Sequence, residues 1–154
     1  MDIEKIVREY IDKTIHLSLA TADGDTPWVC EVHFAYDDNL NLYFRSLKSR
    51  RHSQEIAKNP KVAGNIIDTY ALGEPVVGVY FEGTAEMLPI GDGRTQAFAC
   101  LKARLGVADE VLKEAEQGDG HQFYKITVKN WYVFGRFGGP SGQKHKLAWN
   151  GGKK

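Results

Sequence analysis

The chain has 154 residues, 42% hydrophobic and 26% charged, and its 20 basic and 20 acidic side chains cancel to a formal net charge of zero. That length suits one domain with a core of its own, expected over residues 1–154, and the balanced charge argues against a protein that coats nucleic acid or an anionic membrane. Cys30 and Cys100 lie far apart, the start Met1-Asp2-Ile3-Glu4-Lys5 is charged, and no apolar run reaches spanning length, which points to a reduced, cytoplasmic protein.

Ile3, Ile6, Val7, Tyr10 and Ile11 recur at helical spacing, so residues 3–12 are predicted to form an amphipathic helix with Asp2 as N-cap, ended by Asp12 to Thr14. The period then falls to two. Ile15, Leu17 and Leu19 alternate with His16, Ser18 and Ala20 up to a turn at Asp23-Gly24-Asp25. Beyond it, Trp28, Cys30, Val32 and Phe34 alternate with Val29, Glu31 and His33. After a second turn at Asp37-Asp38-Asn39, Leu40, Leu42 and Phe44 make a third apolar face. The expectation is an antiparallel meander of three strands.

This third strand runs into Arg45-Ser46-Leu47-Lys48-Ser49-Arg50-Arg51-His52 and then a helix. A helix with Arg50, Arg51 and His52 in its first turn has the wrong sign, because cationic charge beside the positive N-terminal pole is unfavourable by about 0.3–1 kcal/mol. No Glu or Gln follows Ser49 at the capping-box position. An anion resolves the conflict: a phosphate held by backbone N–H groups, the Ser49 hydroxyl and the guanidinium groups. The alternative is a solvated basic helix start, and for Lys48 plain surface charge is the simpler reading.

That helix is expected to end at Asn59-Pro60. Val62 to Asp68 reads as a short strand and Leu72-Gly73-Glu74-Pro75 as a turn. Val76 to Leu88 is the longest strand, with Val77, Val79, Phe81, Gly83, Ala85 and Met87 on one face and Tyr80, Glu82, Thr84 and Glu86 on the other. Gly78 and Gly83 mark a bulge, a bend or a close backbone approach. Gly91 to Glu116 is helical in pattern, with one stripe at Phe98, Leu101 and Leu105 and a second at Val107, Val111 and Ala115, and Gly118 to Gly120 closes it. His121 to Phe137 reads as one or two strands. Residues 137–154 are a Gly-rich tail, with a loop at Gly138 to Gly142 and a short polar–apolar stretch to Trp149. The pattern is mainly β with peripheral helices (α+β), about six strands closing into a small antiparallel barrel.

The histidines show no paired spacing, so no metal site is expected. His33 falls on the outward face of its strand, Cys30 shares the core parity, and Tyr132, Phe134 and Phe137 read as core or interface. No Ser-His-Asp, Cys-His or paired-carboxylate pattern stands out, so no catalytic residue is named.

At Phe34-Ala35-Tyr36-Asp37-Asp38, Leu42-Tyr43-Phe44, Ser49-Arg50-Arg51, Asn59-Pro60-Lys61-Val62-Ala63 and Phe81-Glu82-Gly83-Thr84-Ala85-Glu86, the chain resembles the pyridoxamine 5′-phosphate oxidase-like proteins. The order of elements matches as well, over most of residues 2–90. The resemblance implies an antiparallel split β-barrel of the FMN-binding split-barrel type, with FMN as cofactor. It implies that Ser49, Arg50 and Arg51 bind the FMN phosphate, with Lys48 beside them. Phe44, Arg45 and Ser46 would lie beside the flavin and its ribityl chain, and Cys30, Glu31 and Val32 would line the isoalloxazine. Arg45 is the nearest cation to stabilise an anionic reduced ring. A homodimer is implied, with FMN at the interface and Trp149 reaching in from the partner chain.

For function, the resemblance implies a flavin-dependent oxidoreductase acting on an unidentified small molecule. The alternatives are a non-catalytic flavin carrier or sensor, or a relative using haem or the deazaflavin F420. The chain departs from the oxidase itself. Val29 or Cys30 stands where relatives commonly carry Arg on the second strand, and Gly78 where the oxidase has Gln. Lys144-His145-Lys146-Leu147-Ala148-Trp149 is only loosely similar to its arginine-rich C-terminal segment. The chain is thus similar to an uncharacterised branch of the family rather than to the oxidase proper.

Overall fold

The amphipathic stripe at the chain start and the two alternating runs after it form the elements they predict. A computed structural model describes residues 1–118, 120–135 and 142–151. Helix α1 (Ile3–Ile11) starts at Asp2, whose carboxylate accepts from Lys5 N at 3.0 Å, and it buries Val7, Tyr10 and Ile11. Strands β1 (His16–Asp23) and β2 (Thr26–His33) form the expected hairpin, in unbroken register from His16 opposite His33 to Asp23 opposite Thr26. There follow β3 (Ala35–Tyr36), β4 (Leu42–Ser46), α2 (Arg51–Lys58), β5 (Lys61–Ile66) and β6 (Gly78–Met87). Then come α3 (Asp92–Leu105), α4 (Glu110–Glu116), β7 (Gln122–Gly135) and β8 (Gln143–Ala148).

The strands pair antiparallel in the order β2-β1-β5-β6-β7-β4-β3, with β8 added to β7. The two ends of that path, β2 and β3, are separated in the chain by Phe34 alone, whose N–H donates to Ile15 O at 2.8 Å. The sheet therefore curls back on itself as a split β-barrel, the expected class, with four helices among the described residues. Leu17, Leu19, Leu42, Phe44, Val79, Phe81, Ile126 and Trp131 fill its interior, each such side chain stabilising the fold by roughly 1.5–3 kcal/mol. A second cluster lies under α3 and α4, where Ala97, Leu101, Val111 and Ala115 pack on Tyr43 and Phe123. Strand β4 is therefore buried on both faces, which fixes the start of the turn that follows it.

Tertiary pairing corrects several local expectations. Residues 42–46 are not the third strand of a meander: β4 pairs with β3 and β7, Phe44 standing opposite Tyr124. Leu40 is not in the strand but in a left-handed conformation (φ 59°), in a turn closed by its N–H donating to Asp37 O at 2.9 Å. The helical stretch 91–116 is two helices, broken where Gly106 caps α3 at φ 68°. Strand β6 begins at Gly78 rather than Val76, and Met87 at its end is exposed instead of facing the core. Ile15 and Trp28 are likewise exposed.

Strand β7 is a single strand whose alternation breaks. Ile126 and Val128 are buried, then Trp131 and Val133. Glu82 faces Asn130 while Gly83 faces Val128, so Lys129 is an extra residue and every side chain beyond it changes face. Gly83 is required at this bulge, because a Cβ there would collide with the Thr127 carbonyl oxygen. Residues 143–148, expected in the irregular tail, form β8 against β7. The expected loop residues 138–141, the expected strand end at Arg136 and Phe137, and Asp119 lie outside the described residues, as do residues 152–154.

Candidate functional site

Four elements meet at a cleft of about 790 Å³, inside the size range of small-molecule sites, roughly 300–1,000 Å³. Among the described residues strand β2 pairs only with β1, so its far side is an edge, and Trp28 and Cys30 to His33 line the cleft there. The end of β4 contributes Arg45 and Ser46, and the start of α2 contributes Arg50, Arg51 and His52. Leu101 and Leu105 of α3, with Val107 and His121, complete the wall.

The α2 start is built by the turn after β4. Arg50 N donates to Leu47 O at 3.1 Å, and Arg50 itself is the N-cap, in extended conformation, with no side chain among the described residues capping the helix. Arg50 thus precedes the first turn rather than lying within it, and Ser49 stands one residue further out. The first N–H groups of a helix have no intrahelical acceptor, so the pole presents unpaired donors with the Arg50 side chain exposed beside them.

Arg51 is differently placed. Its Nε donates to Glu55 Oε2 at 2.8 Å, and its guanidinium carbon lies 4.1 Å from the centre of the Trp28 ring. Glu55 also accepts from Thr21 Oγ1 at 2.9 Å. The Arg51 hydrogen bond, with help from Thr21, holds the Glu55 carboxyl below its ordinary value. Much of the Arg51 charge is therefore balanced inside the protein.

His52 is buried, its Nε2 2.8 Å from Ser46 Oγ and its ring 6.1 Å from Phe44. Burial, then the neighbouring Arg50 charge, pushes its pKa below the ordinary histidine value, so the ring is neutral at pH 7. Arg45 is partly buried; its Nη2 lies 3.8 Å from Glu114 Oε2, and its buried Nε has no hydrogen-bond partner among the described residues. Burial and then the Glu31 and Glu55 charges raise the Cys30 pKa, so this half-buried thiol is not a thiolate at neutral pH.

Of the residues singled out from sequence, Cys30, Glu31, Val32, Arg45, Ser46, Arg50 and Arg51 line this one cleft. Cys30 is at its wall rather than enclosed in the core. Glu31 turns part of its charge away, pairing with His16 Nδ1 at 3.1 Å and with the Ser18 hydroxyl. Phe44 is not on the surface of the cleft: it is wholly buried and stacked on Tyr124 at 5.0 Å, supporting the site from behind. Lys48 and Ser49 are exposed on the turn and do not line the cleft. Trp149 lies in a separate hollow with Lys61, Glu82 and Lys129, its indole N–H donating to Asn39 O at 2.8 Å.

Sequence reasoning missed Trp28, His52 and His121. Alternation put Trp28 on the core parity with Cys30, two residues on, and nothing local marks β2 as an edge strand. His52 was visible only as a third basic residue, and nothing local marks His121 or the α3 leucines as neighbours of β2.

The family described as "Pyridoxamine 5'-phosphate oxidase" matches residues 3–135. A UPF0306 protein of Photorhabdus laumondii is 28% identical over 80 residues, which are 51% of this chain and 56% of that protein. The chain therefore spans a little over half the length of this curated relative. Among solved structures, the heme storage protein HutZ from Vibrio cholerae superposes with a TM-score of 0.71 at 20% identity, covering 90% of this chain and 98% of HutZ. An FAD-binding protein from Mesorhizobium loti superposes with a TM-score of 0.64 at 21% identity, covering 83% of this chain and 89% of that one. At these identities the structural likeness bears on the fold alone.

Proposed function

The chain belongs to the pyridoxamine 5′-phosphate oxidase family, and from that premise we propose that it binds FMN in the β2–α2 cleft and acts as a flavin-dependent oxidoreductase on a small molecule. The observation that carries this reading is the α2 start: a helix pole with no side-chain cap among the described residues, flanked by Arg50 and Arg51, opening on a cleft of ligand size. The residues fit the group on two counts. The pole and the exposed Arg50 suit a phosphate, and Arg45 Nε, unpartnered among the described residues, is a buried donor in want of an acceptor.

FMN, when bound, supplies hydride and single-electron transfer. The chain's own residues bind, orient and polarise. Arg50 and the first N–H groups of α2 hold the phosphate, and Ser49 and Lys48 extend that cradle on its exposed side. Arg45 offers positive charge to a ring that gains negative charge on reduction. Cys30, Glu31 and Val32 line the ring's strand, while Leu101 and Leu105 shield it from water. In a homodimer Trp149, held against its own Asn39, would border the second copy's cleft.

The departures at Val29, Cys30 and Gly78 speak against pyridoxamine phosphate as the substrate. The test is the absorbance spectrum and mass of the group that copurifies with the protein, followed by titration of the colourless form with FMN. Colourless protein that takes up no FMN would sink the reading. A second reading, haem in the same cleft, is favoured by His33, His52 and His121 bordering it, and by the likeness to the heme storage protein HutZ. An intense Soret band in place of flavin absorbance would establish it instead.

A further inference from the structure

Trp28 is 40% exposed on an edge strand and faces the cleft. An indole left so open is ordinarily free to change rotamer, yet here a ring of contacts holds it. Its cross-strand partner on β1 is Thr21, Thr21 Oγ1 donates to Glu55 Oε1, Glu55 Oε2 accepts from Arg51 Nε, and the Arg51 guanidinium lies over the indole at 4.1 Å. The path runs from β2 to β1 to α2 and back to β2. Thr21 and Glu55 are 3% and 6% exposed, so the anchoring half is buried while the indole it positions is not. A core needs no such exposed aromatic, and cation–π contact with Arg51 secures the ring without hiding it.

The same contacts divide the work of two adjacent arginines. Arg51 is committed to Glu55 and the indole. Arg50, exposed at the helix pole, has no ion pair among the described residues. The cleft thus carries an anion-binding corner and, beside it, a preorganised aromatic wall whose ordering entropy is already spent before a ligand arrives.

We propose that Trp28 is a specificity-determining residue: a fixed aromatic wall, positioned by Arg51, Glu55 and Thr21, that selects a flat heterocycle attached to an anionic tail. This rests on the flavin reading of the cleft and deepens it. Trp28 recognises the ring, Arg50 recognises the tail, and Glu55 acts on both through Arg51.

The test is calorimetric titration of the full chain, freed of copurified flavin, with three probes: FMN, riboflavin and inorganic phosphate. Trp28→Ala is expected to weaken FMN and riboflavin alike by about tenfold, the scale of one lost stacking contact, and to leave phosphate unchanged. Trp28→Phe keeps an aromatic face and is expected to restore most of the ring affinity. Glu55→Gln separates positioning from mere stability: riboflavin weakens because the indole is loosened, while phosphate tightens because Arg51 gains a free charge. A general loss of structure would weaken every probe. Trp28→Ala that binds FMN and riboflavin as the wild type does overturns the inference and leaves the flavin reading standing. Wild type that binds neither FMN nor riboflavin overturns both.

Discussion

Ser46 Oγ and His52 Nε2 lie 2.8 Å apart, joining the last residue of β4 to the first turn of α2 across the cationic turn. The pair is buried and the imidazole is held neutral, its pKa lowered from 6.5 by burial and then by Arg50. An unfolded chain takes up a proton at this ring below pH 6.5, whereas the folded ring resists it. The stability due to this ring is therefore whole above that pH and is lost as the pH falls through the interval below it. Thermal melts should show the midpoint falling as the pH drops below about 6.5, starting above the usual carboxylate range. His52→Gln, which keeps a polar partner for Ser46, should flatten that slope. An equal slope in the variant would clear His52 of the effect.

Arg50 and Arg51 are neighbours with opposite expected phenotypes. Arg50 is exposed and makes no hydrogen bond or ion pair with a side chain among the described residues, so Arg50→Ala should not lower the urea unfolding midpoint. The same variant should weaken FMN by about 1.5–3 kcal/mol, the loss of one charge-assisted hydrogen bond. Arg51→Ala leaves the nearly buried Glu55 with Thr21 as its remaining partner, so it should lower the unfolding midpoint as well. Unfolding curves that fall equally for both variants would contradict this division.

What was legible in the sequence was local. The α1 stripe and the β1–β2 hairpin follow from periods of 3.6 and 2, and the Arg50-Arg51 turn stands out because its charge has the wrong sign for a helix start. The partner of β4 was not legible, since Phe44 meets Tyr124 from 80 residues away and periodicity carries no pairing information. Alternation also misplaced Trp28. It assumes one face of a strand is core, and β2 leaves the core as it runs along the barrel's open edge. The same assumption misreads β7, where one extra residue at Lys129 exchanges the two faces within a single strand.

Arg94 illustrates a buried group that composition does not announce. It is 4% exposed, with Nη1 donating to Ala115 O at 3.1 Å and Nη2 donating to Leu88 O at 2.8 Å and Gln122 Oε1 at 3.2 Å. One guanidinium thus ties α3 to α4 and to the start of β7. Arg94→Met keeps most of the stem and removes the donors, at about 1–3 kcal/mol for each acceptor left buried and unpaired. The urea midpoint should drop, and amide exchange should rise in α3 and α4 before it rises in the β1–β2 hairpin. Exchange that rises first in the hairpin would show that the clamp lies elsewhere.

Two glycines on β6 offer a paired test of how strictly the barrel's bulge is built. A Cβ at Gly83 would meet the Thr127 carbonyl, which is fixed by the β6–β7 ladder, whereas a Cβ at Gly78 would come 2.6 Å from the Ile67 Cδ1 methyl at the end of a flexible side chain. A ladder carbonyl can yield only by breaking register; a methyl can rotate away. Gly83→Ala should therefore destabilise by about 1–3 kcal/mol, the usual range for overpacking, and Gly78→Ala by clearly less. The register consequence is specific, because Gly83 faces Val128 directly beside the extra residue Lys129. Amide exchange in Gly83→Ala should rise at Thr127 to Asn130 while the β1–β2 hairpin stays protected. Equal losses in the two variants would mean that the close approach at the bulge yields as readily as a side chain does.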